Sequence, residues 1–456
     1  MVRIGLMAKR IYRFDRREVL AGLGATAALS GLPAFAAADA PQRLALQAAE
    51  TAIKLRPNQP DVAVWSLRAT PPALRFKPGV LDVAFQNDLP VPATLDWRGI
   101  DGAAAAEPLT AQPPLAPGAK AAFAVALRRP GTFLCELRPI GDAGRRPSRP
   151  LALVVEESAP PTVDQDEVLL IEDWRLDADG TAVTAGAGPG QANPGQANSG
   201  QASSGQAKPA YTVNGQLSTD ISVRGQQRLR LRLINGCQRA AVAVKIEGVE
   251  VRVMALDGAP AEPFSARNSA VVLAPGGRAD VLIDAIVQPG ATSPILLHDG
   301  KEAHPIGRLV TSTEPLVRQS PLPPAPALQA TGLPAQLDLK NAMRIDVPLT
   351  GPDWTPPQSF AVTAAPAFQA KAGRTLVLAL ANRAATNTVF HLHGHHFRLL
   401  DRLDDGWKPF WLDTLAVEPG QTQRVAFSAD YTGRWLLESV GTDWTSPRLV
   451  RWYGVN

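Results

Sequence analysis

Histidine and cysteine are scarce in this chain of 456 residues, with six of the first and two of the second. That scarcity limits metal and thiol chemistry before any fold is considered. Cys-x-x-Cys pairs, a Gly-x-Ser-x-Gly elbow and a phosphate-binding Gly-rich loop are all absent, which removes the usual zinc-ribbon, hydrolase and nucleotide readings. Cys135 and Cys237 could form one bridge in an oxidising compartment, and sequence alone leaves their pairing open. A true excess of positive charge is also lacking. The whole chain has 46 Lys and Arg against 42 Asp and Glu, and removing the six basic and two acidic groups of residues 1–38 leaves 40 of each. A neutral remainder gives no bulk-charge argument for nucleic acid or an anionic surface.

A long uncharged run follows Asp15-Arg16-Arg17-Glu18 and covers residues 19–36, but glycines and Pro33 interrupt it, and it ends in Ala34-Phe35-Ala36. An arginine pair, a weakly apolar stretch and an Ala-x-Ala cleavage signal read as a twin-arginine signal peptide over residues 1–38. The expectation is export to the periplasm and release there, without a stable membrane anchor.

What remains is rich in turn formers, with 42 prolines and 37 glycines, a balance that favours strands over long helices. Alternating runs such as Val80-Leu81-Asp82-Val83-Ala84-Phe85, Leu229-Arg230-Leu231-Arg232-Leu233-Ile234 and Thr375-Leu376-Val377-Leu378-Ala379-Leu380 suit antiparallel sandwich strands. Each comes after a glycine-containing turn and ends near an asparagine: Asn87, Asn235 and Asn382. The repeated plan predicts an all-β chain of three β-sandwiches at about 40–158, 162–315 and 335–456, jointed by prolines at 159–161 and 321–326. A Gly-Gln-Ala pentapeptide repeat at 184–209 has no large apolar side chain and is expected to be a disordered insertion in the middle domain. Arg278 and Asp280 are expected to form a surface pair, and Arg145, Arg146 and Arg149 to lie on a solvated loop.

Four of the six histidines fall in Thr388-Val389-Phe390-His391-Leu392-His393-Gly394-His395-His396. On an extended strand His391 and His393 share a face. The strip resembles the carboxyl-terminal motif of the multicopper oxidases, His-Pro-Phe-His-Leu-His-Gly-His, and the resemblance extends over nearly the whole chain after the leader. It implies cupredoxin-like Greek-key domains. In the family the first histidine binds the blue copper and the two before the glycine bind a trinuclear cluster; Thr388 stands at the first position here.

The other three strips keep the frame and change the donors. Gly433-Arg434-Trp435-Leu436-Leu437-Glu438-Ser439-Val440 is similar to Gly-x-Trp-x-x-His-Cys-His, with Trp444 at the following histidine and Leu449 at the axial methionine. Asp96-Trp97-Arg98-Gly99 is similar to His-Trp-His-Gly, and Gly131-Thr132-Phe133-Leu134-Cys135-Glu136-Leu137-Arg138 to Gly-Thr-Phe-x-Tyr-His-Ser-His. The family's copper set calls for ten histidines and a cysteine, and only His391 and His393 stand at ligand positions. A serine oxygen at Ser439 cannot supply the soft thiolate of a blue-copper site.

Two functional expectations stay open. One is a non-catalytic periplasmic binding or scaffolding protein with a protein partner, in which Asp96, Arg98, Glu136, Arg138 and Glu438 fill the vacated copper cavity as an ion-pair network; a copper-free exported branch of the superfamily that supports cell division is the precedent by analogy. The other is a copper-binding oxidoreductase or copper carrier that holds one residual ion on His391, His393 and His395 with a carboxylate from Asp96, Glu136 or Glu438. Trp97, Trp435, Trp444 and Trp452 are expected to pack in cores and interfaces.

Overall fold

The computed structural model describes residues 41–456 apart from 71–73, 142–145, 178, 187–208, 287, 331 and 402–405. The signal peptide expected over residues 1–38 and most of the Gly-Gln-Ala repeat therefore lie outside the described residues, whereas 184–186 at the repeat's edge are half-buried or buried. The described chain is all-β, with only short 3-10 turns at Ala104–Ala106, Arg267–Ser269 and Pro357–Ser359 besides strands. No helix among the described residues is long and apolar enough to cross a membrane.

Alternation does its local work as expected. In Gly79–Asn87 the side chains of Leu81, Val83 and Phe85 are buried while Val80, Asp82 and Ala84 face out, because successive residues of a strand point to opposite sides. The strand pairs with Gln42–Ile53 and Lys120–Leu127. A second sheet, containing Ala93–Arg98, Gly131–Pro139 and Leu151–Val155, closes the first core around Trp65, Phe85 and Phe133. The middle core, from Leu169 to Leu309, lies between a six-stranded and a five-stranded sheet. The last, from Val347 to Val455, is built on Phe390, Phe427, Trp435 and Tyr453 between a four-stranded and a five-stranded sheet.

The three asparagines mark one device used three times. Each is buried, and each carboxamide donates to two carbonyls and accepts one backbone N–H two residues on. Asn87 donates to Val91 and Leu115 and accepts from Leu89; Asn235 donates to Ala240 and Leu273 and accepts from Cys237; Asn382 donates to Thr386 and Val417 and accepts from Ala384. In each sandwich the asparagine backbone also bonds to the turn opposite, through Gly118, Gly276 and Gly420. Three hydrogen bonds on one buried side chain fix where the strand stops and the chain turns.

Alternation misleads where the polar face of a strand is covered. Arg228–Asn235 is buried along its whole length. Arg230 and Arg232 both bond Asp280, and Arg232 also bonds Asp166 and the Thr132 hydroxyl of the first sandwich. The surface pair expected at Arg278 and Asp280 is thus corrected: both are buried, Asp280 joins Arg230 and Arg232, and Arg278 bonds Asp413 of the third sandwich and the carbonyls of Thr132, Gly276 and Asp257. The sequence shows which face is polar, not which neighbouring sandwich covers it. Arg149 is likewise held by the buried Glu172 at 2.7 and 3.0 Å instead of on a solvated loop. Cys135 and Cys237 are both buried free thiols, so no bridge joins them.

Candidate functional site

Ala93–Arg98 and Gly131–Pro139 pair in a register that sets Asp96 opposite Glu136 and Thr94 opposite Arg138. Directly opposed carboxylates repel. The relief comes from the same face two residues along each strand, where Arg98 follows Asp96 and Arg138 follows Glu136. In the third sandwich Thr388–Leu392 pairs with Gly433–Gly441, setting His391 opposite Glu438.

Arg98 joins these sheets. Its Nε donates to Glu136 Oε2 at 3.0 Å, Nη2 to Glu438 Oε2 at 2.9 Å and Nη1 to Thr414 Oγ1 at 3.5 Å. Arg138 donates to Asp96 Oδ2 at 3.3 Å and to Glu136, and Arg448 donates to Glu438 Oε2 at 2.6 Å. Asp96, Arg98, Glu136, Arg138 and Glu438 are therefore all in contact, directly or through one another. Burial works against the charge on Arg98, but Glu136, Glu438 and Asp96 outweigh it and raise its pKa. Burial also opposes ionisation of Glu438, and Arg448, His393, Arg138 and Arg98 overcome it.

The histidines divide into different environments. His391 Nδ1 lies 3.0 Å from the Asp413 carbonyl oxygen and 3.1 Å from Thr414 Oγ1, and burial together with Arg98 lowers its pKa to about 4. His393 is its opposite. Although burial disfavours its charge, Glu107 Oε1 at 3.0 Å from Nδ1 and Asp96 Oδ1 at 3.8 Å raise its pKa well above the ordinary value. The two rings lie 4.6 Å apart, centroid to centroid.

His395 does not join them. The left-handed Gly394 beside it, at φ +73°, packs against Trp435 and turns the chain away. His395 Nδ1 meets Tyr453 Oη at 2.7 Å while its Nε2 accepts the Tyr431 backbone N–H at 3.2 Å. Tyr453 in turn donates to the His393 carbonyl. Both ring nitrogens are engaged in an aromatic core, and burial lowers the pKa to about 3, so His395 is corrected from candidate ligand to packing residue. His396 bonds Asp101 Oδ1 and the Asp257 carbonyl, each at 2.8 Å, and its pKa is lowered to about 4 by burial and Arg129.

Residues 165–297 and 333–455, more than half of the chain, each match a multicopper oxidase family profile. The chain belongs to the multicopper oxidase superfamily. The multicopper oxidase MmcO of Mycobacterium tuberculosis is 24% identical over 401 residues, covering 78% of this chain and 75% of that one. Among solved structures, a multicopper oxidase from Pseudomonas thermotolerans superposes with a TM-score of 0.74 at 25% identity, covering 92% of this chain and all of that one. Lac15 from a marine microbial metagenome gives 0.71 at 26%, covering 91% and 100%. The three sandwiches are therefore cupredoxin-like.

In this multicopper oxidase frame the remaining substituted positions are filled by packing groups. Thr388 Oγ1 donates to Asn382 Oδ1, Ser439 Oγ donates to the Leu349 carbonyl at 2.6 Å, and Val440 is buried. Leu449 packs on the third core, and Trp444 is half-buried beneath the Arg175 guanidinium, 4.5 Å from its ring centroid. Trp97, Trp435 and Trp452 are buried. Thr388, Ser439, Val440, Trp444 and Leu449 offer neither thiolate, thioether nor imidazole, so these residues do not fit a blue-copper centre.

One divalent ion is a different case. Asp96, His391 and His393 can present donor atoms within 4.8 Å of one another, and Asp96 Oδ1 and His393 Nε2 are buried without a hydrogen-bond partner among the described residues. A cavity of about 20 Å³ beside His391, Arg98 and Glu438 has room for a single water or ion. Against the metal stands His393 itself, held as an imidazolium by Glu107; its proton would have to leave before the nitrogen could coordinate.

Sequence reasoning missed Glu107, Asp413 and Arg448. Glu107 follows a run of alanines, Asp413 sits in a loop strip with no family pattern used above, and Arg448 lies one residue before the axial position. None carries a local signal; each reaches the site through strand order and the docking of the first sandwich on the third, seen in Glu107 Oε1 accepting the Leu436 N–H at 2.9 Å.

Proposed function

We propose that this protein is a multicopper oxidase-fold protein with degenerate copper sites, exported by the twin-arginine pathway and acting in the periplasm as a non-catalytic binding or scaffolding protein. The observation that carries the reading is Arg98, whose guanidinium bridges Glu136 of the first sandwich and Glu438 of the third, and which the motif resemblance aligns with a copper-binding imidazole. A fixed cation there repels copper and replaces its cross-linking role, because it neutralises carboxylates from both sandwiches.

Four carboxylates, Asp96, Glu107, Glu136 and Glu438, face Arg98, Arg138, Arg448 and protonated His393, so the cluster is balanced without metal. What the scaffold binds would be a periplasmic protein, and nothing in the neutral charge balance favours nucleic acid.

The unpartnered Asp96 Oδ1 and His393 Nε2 favour a second reading, in which one copper or other divalent ion sits on Asp96, His391 and His393 and the protein is a copper carrier or copper-binding oxidoreductase. Copper would supply one-electron chemistry when bound; Asp96 and the two imidazoles would hold it. Elemental mass spectrometry of mature protein from copper-supplemented periplasm, with a phenol-oxidation assay, separates the readings. Copper and zinc far below one ion per chain with no oxidation is expected. Near-stoichiometric metal that disappears in a His391→Ala, His393→Ala double variant of intact fold would overturn the first reading in favour of the second.

A further inference from the structure

A cavity of about 190 Å³ opens above the ion-pair cluster where the three sandwiches meet. Its lining sets Arg138, Arg239 and Arg448 beside Asp96, Glu136 and Glu438, with apolar surface from Leu137, Ile140 and Pro356. Arg239 is the unusual member. Only 6% of it is exposed, yet its guanidinium hydrogen-bonds only carbonyl oxygens among the described residues. Nη1 and Nη2 donate to the carbonyls of Gln238 and Ser446, and Nε has no partner. Asp173, the nearby acid, is spent on the backbone N–H groups of Gln238, Arg239 and Ala240. Arg138 Nε and Thr184 Oγ1, both on the cavity lining, are also buried without partners.

We propose that this cavity binds a small organic monocarboxylate, its carboxylate on Arg239 and Arg138 and its apolar body against Leu137, Ile140 and Pro356. Hydrogen bonding selects the ligand. The carboxylates of the cluster beneath are already bonded to Arg98, Arg138 and Arg448, whereas the Arg239 guanidinium has only carbonyl partners and an unpartnered Nε, so one carboxylate completes the site. Burial and the neighbouring Arg448 and Arg138 outweigh Asp173 and Asp443 and lower the Arg239 pKa to about 9, a penalty that a bound anion would reduce. An inorganic dianion would bring a second charge toward Glu136 and Glu438 and leave the apolar walls uncovered. The volume suits a one-ring or short-chain acid, since drug-sized ligands need pockets of roughly 300 Å³ or more.

The test is calorimetric titration of the mature protein with benzoate, with benzamide as its neutral isostere and with inorganic phosphate. Benzoate is expected to bind at least tenfold tighter than either. Arg239→Gln is expected to weaken benzoate at least tenfold, and Arg239→Lys to restore most of the loss. Because a buried arginine can be needed for folding, Ile140→Trp, which fills the cavity without touching a charge, is the second variant and should abolish binding in a protein with unchanged circular dichroism. Equal binding of benzoate and benzamide, stronger binding of phosphate, no benzoate binding at all, or full benzoate binding in Ile140→Trp would each overturn the proposal. None of these readouts depends on metal content, so this site and the metal-free reading stand or fall separately.

Discussion

Replacing Arg98 by Gln removes the cation that joins two sandwiches and leaves three carboxylates facing each other. At roughly 3 Å and an effective dielectric constant near 20, each of its contacts with Glu136 and Glu438 is worth about 5–6 kcal/mol of Coulomb energy. Burying the guanidinium costs several kcal/mol, so the gross figure overstates the net, and loss of one partner from a buried pair costs about 3–5 kcal/mol in practice. Arg138 and Arg448 stay in place and moderate the repulsion, which sets the expectation at the lower end, about 3 kcal/mol at pH 7.

The loss should carry a pH signature. Without Arg98, the Glu438 carboxylate loses part of what holds its pKa down, so the variant takes up protons at higher pH than the wild type does. The stability gap is therefore expected to narrow as pH falls from 7 toward 5. Urea unfolding of both proteins at pH 7 and pH 5, followed by circular dichroism, measures it. A gap under about 1 kcal/mol at pH 7, or one that widens toward pH 5, would refute the account of Arg98 as the central cation.

Three further outcomes are expected. His391, His395 and His396 have folded pKa values of about 4, 3 and 4, below their unfolded value, so the stability they lend is complete above pH 6.5 and is lost as pH falls through 4; Asp257, raised to about 6 by burial and Asp413, acts in the opposite sense, and His396→Asn should flatten the acid limb of the stability curve by about 1.4 kcal/mol per pH unit. Gly394→Ala places a methyl group 2.2 Å from the Trp435 ring at a positive φ, and a loss of about 2–4 kcal/mol with altered tryptophan fluorescence is expected. Asn235→Ala removes three buried hydrogen bonds at the turn of the middle sandwich; thermal unfolding should show a loss of about 2–4 kcal/mol, while Lys340→Ala, at an exposed turn residue, should show well under 1 kcal/mol.

Much of this protein is written locally. Alternation around Leu81, Val83 and Phe85 gives a strand and its buried face, because side-chain direction repeats every two residues whatever the rest of the chain does. The Asn87, Asn235 and Asn382 repeat gives three copies of one sandwich, since each asparagine completes its bonds mostly within its own turn and the adjacent strand ends. That Ser439 and Thr388 carry neither a thiolate nor an imidazole is legible from side-chain chemistry alone. Other features depend on what meets what across hundreds of residues. Arg98 finds Glu438 at a separation of 340 in the chain, and Glu107 finds His393 only because the first sandwich docks on the third. His395 carries the same imidazole as His393, yet Gly394 and the packing of Trp435 and Tyr453 turn it into the core. Arg278 and Asp280 look like surface residues in any local pattern and are buried because neighbouring strands and sandwiches cover them. Charge in a sequence says that a partner is needed; only the packed fold says whether that partner is water, another side chain or, at Arg239, a ligand still to be supplied.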